Sequence, residues 1–252
     1  MTLMCTPEEV KRIQSRLLEM AVAVRDILEK HHIPYFLTYG SLLGAVRHQG
    51  FIPWDDDFDL YLFDDSYDEA MKVLGAELPG DMFLEYWETE PLFFHAWAHV
   101  KDMHSRTECE SFPQDGHYAH QGVSLDLYKV KEMPFSLVES YRLDENIAYF
   151  RRRKGKALID AEEYERKMKP LLEKKGRIQP SDNHHPVFAT VLPIVETMEV
   201  DDVLPLKKYM FEGVEFYGPA DADRFLTLRY GNYMELPPVE DRRPHYSKVQ
   251  FL

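Results

Sequence analysis

Residues 55–59 read Asp-Asp-Asp-Phe-Asp, four carboxylates in five positions, within the otherwise apolar stretch 39–63. Side chains of a β-strand alternate between its two faces. A strand over 57–63 therefore turns Phe58, Leu60 and Leu62 to one side, and Asp57, Asp59 and Tyr61 to the other. Two like charges at i and i+2 on one face repel unless something positive lies between them. A divalent cation meets that need. Magnesium takes a few carboxylates and completes its octahedron with water and substrate phosphate oxygens. Farther along, Val123-Ser124-Leu125-Asp126-Leu127-Tyr128 sets one acid among apolar neighbours, and such an acid is costly to bury alone. If the two strands lie side by side, Asp126 becomes a third carboxylate at the same Mg²⁺ or Mn²⁺. Gly40-Ser41 precedes this acidic run. Glycine admits close backbone approach, a helix N-terminus presents free N–H groups to an anion, and the serine hydroxyl adds a donor. The order is thus phosphate cradle, short helix, loop, acidic strand.

The elements that must position these groups follow from periodicity and turn signals. Thr6-Pro7-Glu8-Glu9 is a helix start with a capping hydroxyl and a Glu three residues on. Val10, Ile13, Leu17, Ala21, Val24 and Leu28 then recur at helical spacing up to the His31–Pro34 stop. Strands are expected over 35–39, 57–63, 82–87, 93–102 and 122–130, with helices over 41–47 and 66–76. That alternation describes an α/β or α+β fold with a mixed sheet flanked by helices, of which α+β is the reading adopted. Residues 135–175 read as charged helices, 176–186 as a loop, 211–216 as a hairpin and 221–230 as a helix ended by Gly231. The Pro-rich 236–252 tail is expected to lie extended over the surface. Residues 1–134 form the catalytic core in this reading. Residues 135–252, a helical region and a C-terminal segment, complete the same domain.

The other chemistry-bearing residues have plainer readings. His95 and His99 are spaced as a metal pair, but no third ligand accompanies them, so they read as core or surface histidines. His117, His120, His184 and His185 fall in loops, and Asp56 is expected to be solvated. Arg151 to Lys154 is a solvated helix face that could also meet an anionic acceptor or a membrane surface. Trp54, Trp87, Trp97, Tyr86 and Tyr118 are core aromatics or, in the sharper alternative, a cage for a quaternary ammonium.

A formal net charge of -14 argues against broad binding to nucleic acid, which needs clustered cations, yet leaves room for a nucleotide bridged by a metal. Two cysteines, Cys5 and Cys109, make neither a disulfide framework nor a cysteine zinc site. No apolar run approaches the roughly 20 residues of a membrane helix, and the first residues lack the apolar core of a signal peptide. A cytoplasmic protein is expected, with peripheral membrane contact compatible.

The motifs carry a resemblance. GSLLGAVRHQGFIPWDDDFDL, GVSLDLY and FEGVEFYGPADADRFLTLRYGNYMELPP are similar to the nucleotidyltransferase superfamily, and more closely to the LicD family of phosphotransferases, which includes fukutin-type ribitol-phosphate transferases. The resemblance implies a nucleotidyltransferase-like fold. It implies transfer of a phospho-alcohol, such as phosphocholine or ribitol phosphate, from a CDP-linked donor to a hydroxyl of a glycan or glycolipid of the cell surface, such as lipopolysaccharide or teichoic acid. It makes Asp57, Asp59 and Asp126 metal ligands, with Asp55 behind them or on a metal-bound water, and it sets Gly40 and Ser41 on donor phosphate. Arg47 could grip phosphate bidentately or form a surface ion pair. Lys101, where the family often has a basic residue, could touch phosphate or be an ordinary surface lysine. Asp126 is the residue expected to take the acceptor's proton. GVSLDLYKV departs from the family's usual aromatic or Ile before the acid and Phe-Pro after it. Transfer of NMP from an NTP to a small molecule uses the same acids and is the alternative.

Overall fold

The computed structural model describes residues 4–179, 181–190 and 196–252. Thr6 caps the first helix, α1 (Pro7–Lys30), reciprocally: the Glu9 amide donates to the Thr6 hydroxyl, and the Thr6 amide donates to the Glu9 carboxylate at 2.7 Å. The helical-spaced residues Val10, Ile13, Leu17, Met20, Val24 and Leu28 are all buried. There follow β1 (Tyr35–Leu37), α2 (Tyr39–His48), β2 (Asp59–Phe63), α3 (Asp64–Glu77), β3 (Met82–Glu85), β4 (Ala98–Asp102), β5 (Ser105–Cys109) and β6 (Ser124–Pro134). A helical hairpin, α4 (Val138–Gly155) and α5 (Ala161–Lys175), leads to β7 (Pro186–Thr190), β8 (Glu196–Glu199) and the short α6 (Val200–Val203). The ribbon β9 (Lys207–Phe211) and β10 (Val214–Gly218), then α7 (Ala222–Tyr230) and β11 (Tyr246–Phe251), complete the order.

Seven strands form one mixed sheet in the order β1-β2-β6-β4-β3, with β7 on the far half of β6 and β8 beside β7. β2 and β6 run parallel; the other pairings in this sheet are antiparallel. Helices α1 and α3 pack on the sheet, where Leu60, Leu62, Leu125, Leu127 and Val100 are almost fully buried. The β9–β10 ribbon closes over Phe58, whose ring meets Phe211 at 5.1 Å and Phe216 at 5.5 Å between centroids. A smaller cluster of Met133, Val138, Val187 and Ala189 holds the start of α4 against β7. No helix among the described residues is long and apolar enough to cross a membrane.

Several boundaries differ from the sequence expectation for identifiable reasons. Asp57 stands ahead of β2 rather than within it. The strand expected over 93–102 pairs only from Ala98, because Phe93, Phe94 and His95 turn in against Tyr118 and Phe112. β6 runs on to Pro134 because β7 supplies a partner for its second half. The tail runs extended, as expected, over Tyr246–Phe251, but it is more than a surface cover: β11 pairs with β5, an element the sequence did not announce, and buries Tyr246 and Val249. Gly122 makes the adjoining crossing possible, since a Cβ there would fall 1.8 Å from the Asp102 carbonyl oxygen. The loop expected over 176–186 is found among the described residues, with Pro180 outside them.

Candidate active site

Parallel pairing sets Asp59 of β2 opposite Asp126 of β6. On the other side of β6, His99 is opposite Asp126, and Glu85 of β3 is opposite His99. Asp59, Asp126, His99 and Glu85 therefore form one line across four strands. The face is shared: Tyr61 and Tyr128, two residues beyond the acids, both pack against the Tyr39 ring, at 5.5 and 5.0 Å. Asp126 is held from its own side of the sheet. Its Oδ2 accepts from Trp97 Nε1 at 2.8 Å and from the Tyr128 hydroxyl at 3.1 Å, while Oδ1 lies 3.7 Å from His99 Nε2. His99 Nδ1 is 3.1 Å from Glu85 Oε2, and the Lys101 ammonium is 3.9 Å from the same oxygen. Glu85, His99 and Lys101 are all buried.

The acidic loop ahead of β2 rests on the first turn of α2. A Cβ at Gly40 would lie 2.5 Å from Asp55 Oδ2 and 3.6 Å from Asp57 Oδ1, so only glycine lets these carboxylates sit there. The buried Ser41 hydroxyl accepts from the Asp59 amide at 2.8 Å, which anchors β2 to α2. Asp56 is not solvated, contrary to expectation. It is 0% exposed, because the chain's last segment folds over it: the His245 and Tyr246 amides donate to its two oxygens at 2.7 and 2.9 Å. His245 Nδ1 also lies 3.3 Å from Asp57 Oδ2. Asp55, Asp57 and His245 each bring a ligand-type atom within 4.8 Å of the others. Asp57 Oδ1 is buried with no hydrogen-bond partner among the described residues. Two carboxylates, one of them with an orphaned oxygen, and a histidine suit a divalent cation by donor chemistry; Asp59 and Asp126 stand outside this group.

Crowding shows in the proton affinities. Burial, then the charge of Asp57, pushes Asp55 and Asp59 well above the usual carboxylate range, and Asp126 up to about 7. Burial raises Glu85 to about 8 and holds His99 well below the usual imidazole value. His245 moves the other way, up to about 11, through its bond to Asp56 and the charge of Asp57. Asp126 and Glu85 thus keep protons in the folded state that the unfolded chain gives up near pH 4. The stability they contribute is full below about pH 4 and is lost as pH rises through about 7 and 8. His245 adds a loss of the same sign between about 6.5 and 11. In chelator, the Tm is expected to fall between pH 5 and 8, and Glu85→Gln to flatten that fall; an unchanged slope in the variant would remove Glu85 as a cause.

A cavity of about 520 Å³ opens on this face, with Asp57, Asp126, Trp97, His99, Lys101 and Tyr246 in its wall. Lys101 is therefore a buried cavity lysine, not a surface one. Among the described residues Arg47 neither forms an acidic ion pair nor faces the cavity: it donates to the carbonyls of Tyr233, at 2.6 Å, and Glu235, tying the C-terminal segment to α2. The five rings weighed as a cage do not gather. Trp97 lines the cavity, whereas Trp54 lies under Arg242 at 5.2 Å and Trp87 under Arg152 at 4.9 Å. Arg151, Arg152 and Lys154 are exposed as expected. Trp97, His99, Glu85, Tyr128, His245 and Tyr246 were not assigned to the site from sequence. One signal existed: His95, Trp97, His99 and Lys101 alternate with Ala96, Ala98 and Val100, the pattern of a strand with one polar face.

A sequence profile for the family described as LicD/FKTN/FKRP, nucleotidyltransferase domain, matches residues 32–101, which carry α2, the acidic loop, β2 and β4. The lipopolysaccharide cholinephosphotransferase LicD of Haemophilus influenzae is 27% identical over 248 residues, 90% of this chain and 91% of that protein. The ribitol 5-phosphate transferase FKRP of Homo sapiens is 34% identical over 97 residues, 32% of this chain and 20% of that protein's length. The motif, the in-register acids and a relative aligned nearly end to end agree in likening this chain to the LicD family of phosphotransferases, whose nucleotidyltransferase-domain profile covers residues 32–101.

Proposed function

We propose that the protein transfers a phosphocholine-like phospho-alcohol from a CDP-linked donor to a hydroxyl of a cell-surface glycan or its precursor, on a nucleotidyltransferase-like scaffold. The observation that carries this reading is the pairing of Asp59 with Asp126 across adjacent parallel strands, with Asp57 two residues upstream at the cavity wall. The Haemophilus relative, named for cholinephosphate transfer, and the human one, named for ribitol 5-phosphate transfer, support the class of group moved. Asp57, Asp59 and Asp126 would hold Mg²⁺ or Mn²⁺, with Asp55 behind them. Bound there, the cation would neutralise the donor diphosphate and the departing nucleotide.

The chain's own residues do the rest. The acceptor oxygen bonds to the phosphorus of the transferred group, the bond from that phosphorus to CMP breaks, and the hydroxyl proton passes to Asp126. Trp97 and Tyr128 occupy Asp126 Oδ2, which leaves Oδ1 for that proton. The amides of the first turn of α2, at Gly40 and Ser41, and the Lys101 ammonium offer positive partners for donor phosphate.

The test is a thermal-shift panel with Mg²⁺ or Mn²⁺ and CDP-choline, CDP-ribitol, CDP-glycerol, ATP and CTP. A CDP-alcohol at a hundred times its Kd stabilises by about 2.7 kcal/mol, a rise of roughly 5–10 °C in Tm for a chain of this size. Stabilisation by nucleoside triphosphates and not by CDP-alcohols would point to nucleotidyl transfer instead. A flat panel would overturn both.

A further inference from the structure

Tyr246 touches both segments that carry the acids. Its amide donates to Asp56 Oδ2 at 2.9 Å, between Asp55 and Asp57. Its hydroxyl accepts from the Ser124 amide at 3.2 Å and lies 3.1 Å from Ser124 Oγ, two residues before Asp126. Its carbonyl accepts from the Cys5 amide at 3.3 Å, and the residue is only 8% exposed. The need for such a contact follows from the strand boundaries. The Asp126 amide donates to the Phe58 carbonyl at 2.8 Å, and β2 begins at Asp59. Asp55 to Asp57 therefore stands upstream of the ladder. It is held there by Gln14, whose side chain donates to the Asp55 carbonyl at 2.8 Å, and by the tail folded over Asp56.

We propose that Tyr246 is a positioning residue: a rigid phenol, fixed at its backbone to Asp56 and at its hydroxyl to Ser124, sets the gap between the Asp55–Asp57 loop and the strand bearing Asp126. The consequence for metal binding rests on the cation assigned above; the spacing itself does not. A buried ring fills space whether or not it carries oxygen, so Tyr246→Phe isolates the spacer from the packing. It keeps the ring, the backbone bond to Asp56 and the pairing of β11, and leaves the Ser124 amide without its partner.

The experiment compares wild type, Tyr246→Phe and Lys248→Ala, which cuts the 2.8 Å ion pair from the same strand to Glu108 away from the acids. Three quantities are read: hydrogen exchange by mass spectrometry over 54–58 and 122–128, Mn²⁺ affinity of the metal-stripped protein by calorimetry, and Tm. Tyr246→Phe is expected to raise exchange in both segments and to weaken Mn²⁺ about tenfold or more, the range typical of residues that orient metal ligands. Its Tm is expected to move by no more than a few degrees, and Lys248→Ala is expected to change none of the three. Wild-type exchange and affinity in Tyr246→Phe would overturn the proposal, as would an equal loss in Lys248→Ala, which would mean that tail docking in general is responsible. If wild type itself binds no Mn²⁺, the cation reading fails, and the exchange pattern alone decides whether Tyr246 sets the spacing.

Discussion

Asp59→Asn is expected to abolish transfer while raising the Tm of the metal-free protein. The two effects have one cause. Asp59 is 4% exposed, and burial together with the charges of Asp57, Asp126 and Asp55 pushes its pKa well up, so its ionised form is unfavourable in the fold without a cation. Asparagine keeps the volume, and the bond from the Asp59 backbone amide to Ser41 survives the change. Removing one of the crowded charges therefore relaxes the metal-free fold. For catalysis, in the proposed reading, the same charge would be a ligand to the cation, whose stabilisation of phosphoryl transfer would amount to several kcal/mol. At 1.36 kcal/mol per tenfold, the loss in kcat/KM is on the order of a thousandfold or more. The Mg²⁺-induced rise in Tm should vanish with it. Turnover near wild type would remove Asp59 from the site, and a lower Tm in chelator would show the acid to be structural.

Asp56→Ala is expected to act chiefly on stability. The carboxylate is fully buried and accepts from two backbone amides 189 and 190 positions away, and from the His245 ring at 3.1 Å. Alanine leaves those donors buried without partners and the His245 cation without its nearest counter-charge. Leaving two amide donors without their acceptor costs about 3 kcal/mol. For a chain of this length that lowers Tm by roughly 6–12 °C. Asp56→Asn, which keeps an acceptor for one amide, should fall between the two. Melting curves of the three proteins decide the matter; an alanine variant within about 2 °C of wild type would show that the tail is held by other contacts.

These two neighbouring acids mark where the sequence is informative. Asp59 could be read because its role depends on local alternation: a strand that puts Phe58 and Leu60 in the core must put Asp59 on the other face. Asp126 could be read in the same way, and the family motif joined the two. Asp56, one position from Asp57 and of the same type, is opposite in character, because its partners come from the far end of the chain. His99 and Glu85 escaped assignment for a related reason. Each is an ordinary polar residue in its own strand, and their alignment with Asp126 exists only once β3, β4 and β6 pair in register.

By itself the sequence determined the α1 capping box and buried stripe, the order of helices and strands through the acidic motif, and the likeness to the LicD family. All of these depend on residue type and spacing over a few positions, where propensity and side-chain period act. Tertiary structure alone decided that Asp57 precedes its strand, that Asp56 is sealed by His245 and Tyr246, that Arg47 holds the C-terminal segment, and that Trp97 and Tyr128 restrain one oxygen of Asp126. The physical reason is that a buried polar group must find its partner wherever the folded chain brings one, and that partner is chosen by topology rather than by neighbours in sequence.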